Sequence, residues 1–197
     1  MTTASPFNFC EAIQSLCDDV SVRLEEFQHI RMEEVFVAFA QTRSRVQHGL
    51  QAKLTPMRFE EGSLFTMREG QKWTVQRMFQ KEIEMLYILT FYLPRFQNQT
   101  FREKMITVLH ELYHISPQFD GDIRRFPGHC HVHTHSQKEY DRQMGLLVDK
   151  YLSLKPPQEL YQFLRKPFRQ LEQLYGGIIG QQAPIPRLIP VSDARSA

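Results

Sequence analysis

The chain has 197 residues, 42% of them apolar and 23% charged, which suits one packed globular domain with at most a small helical extension. A formal net charge of +2, with 24 basic residues dispersed along the sequence, does not announce a nucleic-acid surface, and no run approaches the roughly 20 apolar residues needed to span a bilayer. The start, MTTASPFNFCEAIQ, lacks the basic and apolar regions of a secretory signal, and Cys10, Cys17 and Cys130 are too few and odd in number for a disulfide framework, so a reduced, cytoplasmic setting is expected.

In chain order, apolar residues from Phe7 to about Phe27 recur at helical spacing (Phe9, Ala12, Ile13, Leu16, Cys17, Val20, Leu24) and predict a helix, broken or continuous. Cys10 and Cys17 share one face of it and read as core. Val35 to Ala40 (VFVAFA) is a short continuous apolar run, the pattern of a strand buried on both faces. Leu50, Ala52 and Leu54 alternate with Gln51, Lys53 and Thr55, as in a half-exposed strand at a sheet edge. Trp73 to Ile83 fits strand and helix equally, while Leu86 to Leu93 (LYILTFYL) reads as a buried strand closed by Pro94.

Thr100-Phe101-Arg102-Glu103 has the form of a capping box, in which Thr100 and Glu103 satisfy each other's free backbone N–H groups, and a helix should run from there to about Ile115. A loop of glycine, proline and charge follows from Ser116 to Gly128. Ser136 to Glu139 forms a second capping box, opening a helix to about Leu152, and another amphipathic helix runs from about Gln158 to Tyr175, where Gly176-Gly177 closes it and Pro167 should kink or divide it. The connection Lys155-Pro156-Pro157 suits an antiparallel pair, expected to pack on the preceding helix. Pro184, Pro186 and Pro190 predict an extended tail. The expectation is an α+β fold divided as 1–30, an N-terminal helical segment; 31–155, the core; 156–180, a C-terminal helix; and 181–197, the tail.

The capped helix carries His110-Glu111-Leu112-Tyr113-His114, an HExxH motif. Residues four apart stand one turn above each other, so both imidazoles can reach a single cation, while Glu111, about 100° round the helix, is placed for water bound there. A solvated face with two histidines and a glutamate is the bland alternative. A third ligand is offered by His129, His131, His133 and His135, alternate residues of GHCHVHTHS that face one way if the segment is extended. Six of the eight histidines lie between positions 110 and 135, and a catalytic zinc needs three protein ligands with a place left for water. A solvent-facing segment with incidental metal affinity would look the same.

Asp120 stands six residues after His114, where the metzincin pattern HExxHxxGxxH has its third ligand, but Pro117 replaces the glycine that pattern needs for its turn. Asp120 is therefore expected beside a ligand imidazole rather than on the metal, or with Asp122 in an acidic loop paired to Arg124 and Arg125. Cys130 alternates out of phase with the histidines. Tyr140, and less so Tyr113, is positioned to steady an oxyanion, against the ordinary reading of both as packing residues.

The stretch Val108 to Met144, VLHELYHISPQFDGDIRRFPGHCHVHTHSQKEYDRQM, resembles the phage-type and bacterial HExxH metallopeptidases, relatives of SprT/Spartan-like zincins. That resemblance implies a small mixed sheet beside the HExxH helix, Zn2+ bound by His110 and His114, and a downstream histidine as third ligand, for which it favours His133. SprT-like proteins follow the third histidine with glycine and an aromatic four residues on, whereas His135 is followed by Ser136, with Tyr140 five residues on. The expected activity is zinc-dependent hydrolysis of a protein or peptide substrate, Glu111 acting as general base on a water acidified by the metal toward a pKa of ~7. Two other classes stay open: a zinc-stabilised structural or adaptor protein without catalysis, and a protease of DNA-associated proteins, the latter not indicated by the charge.

Overall fold

The computed structural model describes residues 5–42, 49–125 and 137–192, and of residues 137–139 the backbone alone. The architecture is mixed α+β with several small sheets. Strand β1 (Phe7–Asn8) leads into helix α1 (Phe9–Arg23), whose first turn is capped by the Asn8 side chain accepting from Glu11 N. Phe9, Ile13, Leu16, Cys17 and Val20 form its buried stripe, and the chain breaks from helical geometry at Leu24 before a 3₁₀ turn at Glu25–Phe27.

The site-bearing sheet consists of β2 (Val35–Gln41), β3 (Ala52–Pro56) and β8 (Tyr87–Leu93), in the order β2-β8-β3. Between β3 and β8 lie the exposed hairpin β4 (Phe65–Arg68) and β5 (Gln71–Val75), then the small pair β6 (Phe79–Gln80) and β7 (Ile83–Glu84), so the ambiguous Trp73–Ile83 stretch is strand. β8 is central, parallel to β2 and antiparallel to β3. Its residues Tyr87, Leu89, Phe91 and Leu93 join the main core, where Phe91 meets Phe9 and Phe96 edge-on at ring-centroid distances of 5.7 and 4.6 Å. Ile88 is buried on the opposite face.

β3 is the edge predicted from its alternation, with Ala52 and Leu54 buried and Lys53 exposed. Tyr92 N donates to Gln51 O and Met57 N donates to Leu86 O at the two ends of the β3–β8 ladder. Antiparallel pairing then turns the N–H and C=O groups of Ala52 and Leu54, and the C=O of Pro56, away from β8, along the free edge.

Helix α2 (Phe101–Tyr113) begins with the predicted capping box, Thr100 accepting from Glu103 N while Glu103 Oε2 accepts from Thr100 N at 2.8 Å. α3 (Gln137–Ser153) packs on α2, where Arg102 reaches Asp149 Oδ1 at 2.6 Å and Gly145 O at 3.2 Å. Ser136, and with it the predicted capping box, lies outside the described residues. The expected final helix is divided: 3₁₀ turns at Gln158–Leu160 and Gln162–Arg165 precede α4 (Phe168–Tyr175), with Pro167 at its N-cap and Gly176 at left-handed φ +70° as its C-cap. Leucines and phenylalanines three and four apart satisfy a 3₁₀ turn as well as an α-helix, and Pro167 cannot continue the ladder.

The expected packing of this last segment on α2 is met by the second 3₁₀ turn, Gln162–Arg165, whereas α4 rests on β1 and on β9 (Ile178–Ile179), the strand parallel to β1. The tail is extended as predicted but paired: β10 (Leu188–Pro190) adds antiparallel to β5, with Pro190 opposite Trp73. Among the described residues no helix is long and apolar enough to cross a membrane.

Candidate active site on helix α2

His110 and His114 stand on consecutive turns of α2 with ring centroids 4.7 Å apart, as their spacing requires. His114 is the helix C-cap, in right-handed geometry at φ −71°. The negative end of the helix dipole therefore lies at this pair and favours a cation there. Arg124 fastens the helix end, its backbone N–H donating to His114 O and its Nε donating to Tyr113 O, both at 2.7 Å, with the guanidinium over the Tyr113 ring.

Tyr140, on the first turns of α3, packs against both imidazoles. Its ring is stacked on His114 (18°, 6.1 Å) and stands edge-on to His110 at 4.7 Å. Tyr113, the other tyrosine considered for an oxyanion, has its ring 5.7 Å from that of Tyr140.

Glu111 points from α2 to the sheet edge. Its Oε2 accepts a 2.7 Å hydrogen bond from the backbone N–H of Leu54, one of the outward groups of β3. Burial pushes its carboxyl up to about 7, opposed by the Leu54 N–H, which favours the ionised form. A cleft of about 400 Å³ opens between α2 and the chain entering β3, lined by Gly49, Leu50, Gln51, Ala52, Gln99, Glu103, Ile106, Thr107, His110, Glu111 and Asp141. Thus the two elements that the sequence singled out separately, the motif helix and the edge strand, are joined at Glu111.

The donor set fits a zinc ion in part: two imidazoles on one helix face, at its negative end, with His110 lining the cleft. Among the described residues no group of three or more His, Cys, Asp or Glu is close enough to hold a metal. The third-ligand candidates His129, His131, His133 and His135, with Cys130, lie outside the described residues.

Asp120 and Asp122 have other partners. Asp120 Oδ1 accepts from Asp122 N, and the Asp122 carboxylate binds Arg125 at 2.9 and 3.1 Å as well as the backbone of Glu61 and Ile123. Of the expected alternative, an acidic loop paired to both arginines, the structure shows the Asp122–Arg125 pair, while Arg124 is turned to α2. Tyr87 clamps this loop, its hydroxyl donating to Asp122 O and accepting from Gly121 N, both at 2.9 Å. Gly121 is required here, since at φ +89° its Cβ would lie 2.4 Å from Arg58 Cγ.

Sequence reasoning did not mark Gln51, Glu103 or Asp141 as site residues. Glu103 carried a signal, because positions 103, 107 and 110 fall on one helical face, but its capping role accounted for it first.

No curated protein and no solved structure matches the chain. A family model described as "Putative phage metallopeptidase" matches residues 7–143, from the entry of α1 through the motif helix and into α3. That span is well over half of the chain, and the protein belongs to this family, whose description is that of a metal-dependent peptidase.

Proposed function

We propose that the chain is a zinc-dependent peptidase of zincin-like architecture, with His110 and His114 as metal ligands, His133 as the third, and Glu111 as general base. The observation that carries this reading is the position of Glu111, which shares α2 with His110 and His114 and accepts from the outward edge of β3. A bound zinc ion would polarise the scissile carbonyl and acidify the attacking water. Glu111 takes the proton of that water and returns it to the leaving amine, from a buried position that keeps its carboxylate in one rotamer. Tyr140, whose ring lies beside both imidazoles, would stabilise the developing oxyanion.

The peptide would lie extended along β3, whose free edge offers backbone groups for strand addition. Pro56 has no N–H, and the Leu54 N–H is engaged by Glu111, so the Ala52 N–H and the carbonyls of Ala52 and Leu54 form the docking edge.

Glu111→Gln tests the assignment: the variant should retain about one zinc per chain and lose peptidase activity, while His110→Ala and His114→Ala lose the metal. Full activity in Glu111→Gln would overturn it.

A further inference from the structure

Arg124 stands at the end of the motif helix in a position that neither metal ligation nor proton transfer accounts for. The last carbonyls of an α-helix have no partner within the helix and need one from outside. At the end of α2, Tyr113 O and His114 O are both taken by this one residue, through its Nε and its backbone N–H, each at 2.7 Å. The clamp therefore closes on one motif histidine and on the residue before it.

The loop that presents Arg124 is itself fixed. Ile123 bridges to Ile115, Ser116 N donates to Asp122 O at 3.2 Å, and the Asp122 carboxylate takes Arg125. Among the described residues no ion pair engages Arg124. Its guanidinium lies 4.1 Å from the centre of the Tyr113 ring, which stands edge-on to Phe27 and Tyr140 at 6.3 and 5.7 Å. Tyr140 in turn packs on both imidazoles. Arg124 thus reaches the histidine pair by two routes, through the backbone at the helix end and through two tyrosine rings.

We infer that Arg124 is the positioning residue of the metal-binding pair: its clamp on the last two carbonyls of α2 fixes the helix end, and with it the direction of the His114 imidazole toward an ion shared with His110. The inference rests on the zinc reading of the site and adds to it a residue that touches neither metal nor substrate. Charge alone works in the opposite sense, because a guanidinium repels a nearby dication. A favourable effect of Arg124 on zinc binding has to come from geometry.

Zinc affinity of the full chain, measured by competition with a chromophoric chelator, tests this apart from activity. Arg124→Met keeps the stem and removes donor and charge together. It should bind zinc about ten-fold more weakly, the lower end of what losing an outer partner of a metal ligand costs. Arg124→Gln is equally neutral but places an amide N–H where Arg124 has its Nε, and should recover about three-fold of that loss. Unchanged or tighter zinc binding in Arg124→Met, or equal losses in the two variants, overturns the inference. A second measurement needs no variant to fold. Coupling between two sites is reciprocal, so a clamp that favours zinc is favoured by zinc. Zinc saturation of the parent chain should slow hydrogen exchange of the Arg124 Nε–H by about ten-fold, while the Nε–H of Arg23 on α1, bonded to Asp19, keeps its rate. No slowing at Arg124, or the same slowing at Arg23, overturns the inference and leaves the zinc reading standing. A parent chain that binds no zinc overturns both.

Discussion

The backbone N–H of Leu54 donates to Glu111 Oε2 at 2.7 Å, so the edge strand and the motif helix meet at the group assigned to proton transfer. This hydrogen bond holds the carboxylate through a backbone group. Replacing the residue-54 amide by an ester keeps the leucine side chain and deletes the N–H. The expected result is a fall in kcat of roughly ten-fold, the scale of a hydrogen bond to a charged group, with zinc content preserved. Ala52→Pro removes the neighbouring outward donor instead and should raise KM while sparing kcat. Steady-state kinetics of the two variants separates positioning of the base from docking of the peptide.

Tyr140 touches both motif histidines, and its two possible contributions are separable. Tyr140→Phe keeps the ring against the imidazoles and deletes the hydroxyl, so zinc affinity should hold and kcat should fall by about ten-fold or more. Tyr140→Ala removes the packing as well and should weaken zinc binding. Competition with a chelator, run beside the kinetics, checks both.

Much of the site was legible in the sequence. The capping box at Thr100 and Glu103 located the start of α2, and the runs VFVAFA and LYILTFYL marked the two strands buried between layers. The hairpins from Phe65 to Glu84 were not legible, because they expose both faces and so carry no alternation. The tail was read as extended; what hid its pairing is that Leu188 and Ile189 stay exposed even when hydrogen-bonded to β5. The bond between Leu54 N–H and Glu111 joins residues 57 positions apart through a backbone atom, which no side-chain pattern encodes.

Lys104 offers a pH-dependent stability. It is 1% exposed, donates to Lys166 O at 3.0 Å, and burial pushes its pKa down from 10.5 to about 8. Below about pH 8 the folded chain carries a buried ammonium at full cost. Between about 8 and 10.5 the unfolded chain binds more protons, so stability rises with pH across that window. Lys166 O also accepts from Gln97 Nε2 at 2.8 Å and is not orphaned when the amine is removed. Lys104→Met should therefore be more stable than the parent by about 2 kcal/mol at pH 7. Denaturant melts at pH 7 and pH 10 should show the advantage shrinking at the higher value.

The segment after Pro156 is expected to serve as a scaffold. Phe163, Leu164 and Leu171 belong to the main core, and the carbonyls of Phe163 and Lys166 accept from Gln97 and Lys104. Truncation at Pro156 would expose that core and strand both buried donors, so the product should be insoluble or zinc-poor. A folded, soluble and zinc-loaded product would assign the segment to a partner instead.

The central claim is a catalytic zinc site built on α2, and anomalous diffraction at the zinc edge from crystals of the zinc-loaded chain tests it most directly. The account predicts one peak within ~2.0–2.1 Å of a ring nitrogen of both His110 and His114, with a third protein ligand from His133 and one coordination position left to water. A peak elsewhere, or one closed by four protein ligands, would contradict it.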